Sequence, residues 1–484
     1  MKETPNSVAG GSVWRLSERF LSQGIAFLVS LILARLLTPE DYGIVSITLV
    51  FINLADVLVV NGFGNALIRK KDADELDFSS VFYCTLAISV AVYLLLFFIA
   101  PTVGEIYDEP TLSPILRVFA LRLPIGALNS IQHAYVARKM IFRKYFFSTL
   151  GGSLASGVVG VAMAIYGFGV WAIVGQYLTG ALVSTAVLLF TVSWRPRALF
   201  SLRAAKPLIR FGWKITATSF LGVLFAQLRS LMIGKVYTEA ELAYYDRGRN
   251  FSTLATDNVG NALLSVLFPA LSRVGDDSAL LKEKLRAALR IISFVVLPAS
   301  VGLSVVASPL IRLLLTEKWV DCIPFVQLLS FATSISMLGD VSLQALNAKG
   351  RSDTVLKLEL FFKRPIFLLL LIVGLKISVL AVAVSTLVYS VCSTLINLPA
   401  LKKHLDYSLT EALRDLLPAT ALSGAMALAA SLWLLVPMPL PLCLLLQMTT
   451  GATVYLTLAA LTKSSSLAFI RRAARDLLLK KRGD

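Results

Sequence analysis

Phe20 to Thr38 reads "FLSQGIAFLVSLILARLLT", and two hundred residues later Phe220 to Thr238 reads "FLGVLFAQLRSLMIGKVYT". Seven of the nineteen positions are identical, Arg35 falls on Lys235, and the polar match runs on to Asp41 with Glu241 and Asn61 with Asn261. Each copy is long and apolar enough to cross a hydrocarbon core of about 30 Å as a helix. An internal repeat of spanning helices is the organisation of many transporters. The copies fall on the first and seventh spans, so both cross in the same sense and are related by an axis along the membrane normal.

The rest of the chain agrees with that reading. Of its 484 residues 57% are hydrophobic and 15% charged, whereas soluble domains are nearer a quarter charged. Apolar runs broken by Gly, Pro and charge clusters recur fourteen times between residues 13 and 462, without a long polar insert. The expected fold class is therefore all-α integral membrane with about 14 transmembrane helices. The repeat divides it into a first lobe of six helices at 1–206, a second at 207–400, and two further helices with a basic tail at 401–484.

The net charge of +17 would suggest nucleic acid as partner in a soluble protein. Here the cations gather in alternate loops such as "RKKDADELD" (69–77) and the tail "RRAARDLLLKKRGD" (471–484), while the intervening loops are short and poor in Lys and Arg. That is the positive-inside pattern, so both termini are expected in the cytoplasm and no nucleic acid is called for. The first dozen residues are polar and lead into a full-length span, so the N-terminus is expected to be retained. Cys84, Cys322, Cys392 and Cys443 are scattered; neither a metal nor a disulfide is expected. "DAD" at 72–74 resembles a metal-nucleotide triplet of glycosyltransferases, but no nucleotide-binding domain surrounds it. No phosphate-binding Gly-rich loop and no Ser/His/Asp or Cys/His set is discernible. A carrier, not an enzyme, is expected.

Charges inside spans are costly, roughly 2.5–3.5 kcal/mol each at a helix centre, so those present should face a cavity or one another. In the eighth span, "AYYDRGRNFSTLATDNVGNALLSVLF" (243–268), Asp246, Asn250, Thr253, Asp257 and Asn261 share one helical stripe, and Arg247 and Arg249 are further cations near the start of the span. Arg15 and Arg19 lie on one face of the first span, Asn53 and Asp56 on the second. The fourth carries Arg122, Asn129 and His133 in line, with Arg117 beside them. Lys214 and Arg229 fall on the seventh, Asp340 on the tenth and Arg364 on the eleventh. Cations outnumber anions among these groups, and an anionic substrate follows, with Arg supplying a planar fork suited to phosphate. The competing reading is structural: Arg15, Arg19 and Lys214 lie near helix ends where side chains snorkel to the headgroups, and Glu359 and Lys363 are spaced as an i,i+4 pair.

"LARLLTPEDYGIVS" (33–46), "AYYDRGRN" (243–250) and "VLFPALSRV" (266–274) resemble the polysaccharide transporter family, the Wzx-type flippases of the colanic acid exporter kind within the multidrug/oligosaccharidyl-lipid/polysaccharide exporter superfamily. The resemblance implies two pseudo-symmetric six-helix lobes around a V-shaped central cavity, MATE- and MurJ-like, with two C-terminal helices beside them. It also implies alternating access and a substrate, an undecaprenyl-pyrophosphate-linked oligosaccharide moved across a bacterial inner membrane for exopolysaccharide or lipopolysaccharide biosynthesis. Membrane lipids, a polysaccharide polymerase and a chain-length regulator are the implied partners, with no cofactor; H+, Na+ or the membrane potential is the implied energy source. The alternatives are an ion-coupled multidrug antiporter of the same superfamily, a membrane oligosaccharide polymerase or ligase, and an uncoupled scramblase.

Overall fold

The structure is a computed structural model that describes the backbone of residues 5–60, 67, 70, 73–272, 277–464, 466–469 and 471–472; the side chains of 5–13, 15–16, 60, 204, 211, 255, 257–259, 261–270 and 272 lie outside the described residues. Among the described residues the elements are helical: α1 Pro5–Leu36, α2 Pro39–Val60, α3 Glu75–Ile106, α4 Leu112–Phe119, α5 Arg122–Lys139, α6 Phe142–Ile165, α7 Val170–Thr191, α8 Leu202–Val236 and α9 Glu239–Ser272 come first. There follow α10 Ser278–Leu315, a 3-10 turn, α11 Ile323–Ala348, α12 Ser352–Lys357, a π-turn Leu358–Lys363, α13 Arg364–Leu375, α14 Val379–Leu405, α15 Leu409–Ser431 and α16 Leu440–Leu461.

All fourteen expected spans are helical, with α4–α5 forming the fourth and α12–α13 the eleventh. Twelve are long and apolar enough to cross a membrane among the described residues. The two outside that set are α9, whose polar stripe lowers its hydropathy, and the eleventh span, which is divided by the π-turn. The chain is a multi-pass membrane protein.

The repeat is reproduced bond for bond at its seam. Thr38 N–H donates to Asp41 Oδ2 at 3.0 Å, and Asp41 N–H to Thr38 Oγ1 at 3.3 Å. Thr238 N–H donates to Glu241 Oε2 at 3.2 Å, and Glu241 N–H to Thr238 Oγ1 at 3.3 Å. Each is a reciprocal capping box that satisfies two orphan donors at a helix start. Asp74 caps α3 in the same way, accepting from Asp77 N–H at 2.8 Å; that bond holds the Asp74 carboxyl below the usual carboxylate range.

By internal contacts the chain divides into two units, Met1–Ala243 and Tyr244–Asp484. This boundary differs from the repeat boundary near residue 206 chiefly by α8, which packs on α2 and α3. In the first unit α1 packs on α6, and α5 lies against α3 and α7. The α6–α7 pair is the closest: a Cβ on Gly152 would come 2.9 Å from the Gly180 carbonyl, and Ser148 Oγ donates to the Ser184 carbonyl at 2.7 Å. Lipid tails are as apolar as Leu, so helices in a bilayer gain from such small-residue approach rather than from hydrophobic burial. The second seam also needs a glycine, because a Cβ at Gly43 would overlap the Glu239 backbone. In the second unit α10 contacts α11, α15 and α16, and α14 packs on α11 and α13.

Two prolines explain two interruptions. Pro124 has no N–H for the Ala120 carbonyl, which accepts from Leu123 at 2.9 Å instead, and the fourth span breaks there so that α5 starts at Arg122. Pro365 likewise cannot bond the Phe361 carbonyl, and the turn before it widens to a π-turn.

Candidate functional site

Because α5 begins at the break, Arg122 stands inside a span and not at its end. Its guanidinium lies 3.4 Å from the Asp56 carboxylate of α2, the two side chains being 30% and 26% exposed, and 5.6 Å from the ring centroid of Tyr177 on α7. Three helices thus converge on one cation. The single contact to Asp56 is long for a charge-assisted bond, so most of the guanidinium's five donors remain for another anion. Asn53, half-buried, is one turn from Asp56 on α2.

Along α5 the expected stripe continues. Asn129 Oδ1 is buried with no hydrogen-bond partner among the described residues, and the His133 ring meets Tyr145 edge-on at 4.7 Å. Arg117 is placed differently: its Nε donates to the Phe97 carbonyl at 3.1 Å and its guanidinium lies 4.5 Å from the Phe97 ring centroid, a fastening of α4 to α3. Arg19 and Lys214 are exposed, and Arg229 is half-buried on α8. The Arg15 side chain lies outside the described residues.

In the second unit Asp246 and Arg249 are half-buried and Asn250 is exposed on α9, and Asp340 is exposed on α11. Arg247 is buried, its guanidinium 5.0 Å from the Trp319 ring centroid. Asp257 and Asn261 lie outside the described side chains. In the eleventh span the π-turn brings two cations to one carboxylate: Lys363 Nζ is 2.7 Å from Glu359 Oε1, and Arg364 Nη2 is 3.9 Å from Glu359 Oε2. Lys363, only 2% exposed, is fixed by this pair.

A second group of charges lies outside the candidate residues read from the sequence, where Asp415 stands out only as a charge at the entrance of a late helix. On α10, Lys282, Arg286 and Arg290 recur every four residues, and on α15 Glu411 and Asp415 do the same. Asp415, with its side chain 0% exposed, accepts from Arg286 Nε at 2.8 Å and Nη2 at 2.9 Å, and from Arg290 Nε at 2.8 Å. Tyr407 Oη donates to it at 3.2 Å; burial, then the nearby Asp415 charge, push that phenol up, so it stays a donor. Glu411 pairs with Lys282 at 2.9 Å. The i,i+4 stripes were legible on each helix; their pairing across more than a hundred residues was not. Among the described residues no three of His, Cys, Asp and Glu gather as metal ligands.

A family model described as polysaccharide biosynthesis protein matches residues 32–324. The lipopolysaccharide biosynthesis protein WzxC of Escherichia coli strain K12 is 26% identical over 371 residues, covering 75% of this chain and 74% of that protein. The succinoglycan biosynthesis transport protein ExoT of Rhizobium meliloti strain 1021 is 25% identical over 323 residues, covering 66% and 65%. Among solved structures, the lipid II flippase MurJ in an inward closed conformation aligns over 93% of this chain and 98% of its own, with a TM-score of 0.73 and 16% identity. That likeness is one of fold.

Proposed function

We propose, because this chain belongs to the polysaccharide biosynthesis protein family, that it is a flippase for an oligosaccharide carried on undecaprenyl pyrophosphate. It moves that lipid from the cytoplasmic to the periplasmic leaflet of a bacterial inner membrane by alternating access, making and breaking no covalent bond. The observation that carries the reading is Arg122: a guanidinium inside a span, between a carboxylate and an aromatic face, with donors left over. A pyrophosphate offers oxygens that such a fork binds two at a time. Arg364, 3.9 Å from Glu359, is a second arginine within a span, in the other unit. Cells lacking the protein should accumulate one lipid-linked oligosaccharide in the cytoplasmic leaflet and lose the corresponding surface polysaccharide. Unchanged surface polysaccharide would dismiss the reading.

The energy source in this proposal is an ion gradient, H+ or Na+, or the membrane potential, and flipping should slow when it is collapsed. A polymerase and a chain-length regulator take the product at the periplasmic face. Both termini are cytoplasmic, which the basic loops support. A cysteine placed at Glu105 should then be labelled by an impermeant reagent from the periplasm and one placed at Arg203 spared; the reverse pattern would invert the topology.

A further inference from the structure

The charge cluster between α10 and α15 does not balance. Three cations of α10, Lys282, Arg286 and Arg290, face two carboxylates of α15, Glu411 and Asp415. Arg290 spends one edge of its guanidinium on Asp415, with Nε at 2.8 Å and Nη2 at 2.5 Å from the same oxygen. Its Nη1 has no acceptor among the described residues, and the side chain is 41% exposed. An arginine can engage an anion through each edge of its fork, so the outer edge is open to a second one.

What surrounds that edge states the chemistry of the occupant. Arg290 is the last charge of α10 before the apolar run "IISFVVLPASVGLSVV" (291–306), so it stands at the level where hydrocarbon gives way to headgroups. The segment after α16 folds back to this level: Ser466 Oγ donates to the Arg290 carbonyl at 3.2 Å, and Leu467 packs on the apolar cluster of Phe294, Leu422, Met426, Tyr455 and Ala459. The same segment exposes Lys463, Arg471 and Arg472 and also Phe469. On α15, Leu409, Leu413 and Leu417 are exposed on one i,i+4 stripe. An unbalanced guanidinium, exposed cations and exposed apolar side chains together have the composition of an interfacial surface.

We propose that this corner binds the phosphate of an anionic phospholipid, with Arg290 contacting the phosphodiester and Lys463, Arg471 and Arg472 drawing in the headgroup. The bound lipid completes the charge balance of the cluster and fastens α15 and α16 to α10. A free phosphate would satisfy the fork but leave the apolar side chains uncovered. The site is distinct from Arg122 and does not depend on what the protein transports.

The test is thermal unfolding of the purified full chain in detergent, titrated with short-chain phosphatidylglycerol, phosphatidylcholine or inorganic phosphate. Phosphatidylglycerol should raise the unfolding midpoint and the other two should not. Because each cation near an anionic surface contributes about fivefold in affinity, R471Q/R472Q should weaken the phosphatidylglycerol response by roughly 25-fold. These two side chains are exposed, so that variant should fold normally. R290Q should weaken the response further, and added salt should weaken it for the wild type. An equal response to phosphatidylcholine or to phosphate, or a phosphatidylglycerol response unchanged in R471Q/R472Q, overturns the proposal.

Discussion

Arg122→Ala should abolish polysaccharide export while leaving the protein inserted at normal abundance. A hydrogen bond to a charged group is worth roughly 1.5–3 kcal/mol net, about 10- to 150-fold in headgroup affinity, and Arg122 has several donors to offer beyond its 3.4 Å contact with Asp56. The structural alternative is that Arg122 serves only to neutralise Asp56 inside the membrane. Pairing the substitutions separates the two. If neutralisation were the whole role, D56N/R122A would remove the stranded carboxylate and restore export. Capture of a phosphate predicts that the double variant stays inactive, and that R122K recovers part of the activity because the charge survives without the planar fork. Export is scored as surface polysaccharide in cells lacking the chromosomal copy, and recovery by D56N/R122A would return Arg122 to a structural role.

Asp415→Ala should be the most destabilising single change in the second unit. It removes the carboxylate that Arg286 and Arg290 share, leaving two guanidinium groups side by side near the end of the membrane helices. Breaking a buried ion pair by deleting one partner costs about 3–5 kcal/mol; here Arg290 loses its carboxylate and Arg286 keeps only Glu411, 3.5 Å away. R286A should cost less, because Arg290 and Tyr407 still satisfy Asp415. The unfolding midpoint of the purified protein should therefore fall in the order D415A, then R286A, then wild type. A midpoint for D415A within a degree of wild type would class the cluster with solvated surface pairs, which contribute little.

Much of the architecture was legible because a bilayer constrains it. Each span must satisfy its own backbone hydrogen bonds in lipid, so an apolar run of about 20 residues has few forms open to it. The repeat was readable for a similar reason: Thr38 with Asp41 and Thr238 with Glu241 are local bonds, three residues apart, and local bonds leave local sequence marks. Pro124 and Pro365 each lack the N–H that a helix interior needs. Whether each yields a break or a π-turn depends on neighbouring packing that no sequence window contains. Long-range pairing was the least legible layer. Arg117 and Arg122 are five residues apart and look alike in sequence. One stacks on Phe97 and the other meets Asp56 and Tyr177, a difference set by which helices pass by.

The most direct measurement reconstitutes the purified protein into liposomes with a fluorescent oligosaccharide on undecaprenyl pyrophosphate and follows its appearance in the opposite leaflet by accessibility to an external lectin. The account predicts protein-dependent movement of that lipid that is lost in R122A, with no matching movement of a zwitterionic phospholipid. Movement no faster than in empty liposomes alongside uptake of a cationic drug, or equal movement of every lipid tested, would contradict it.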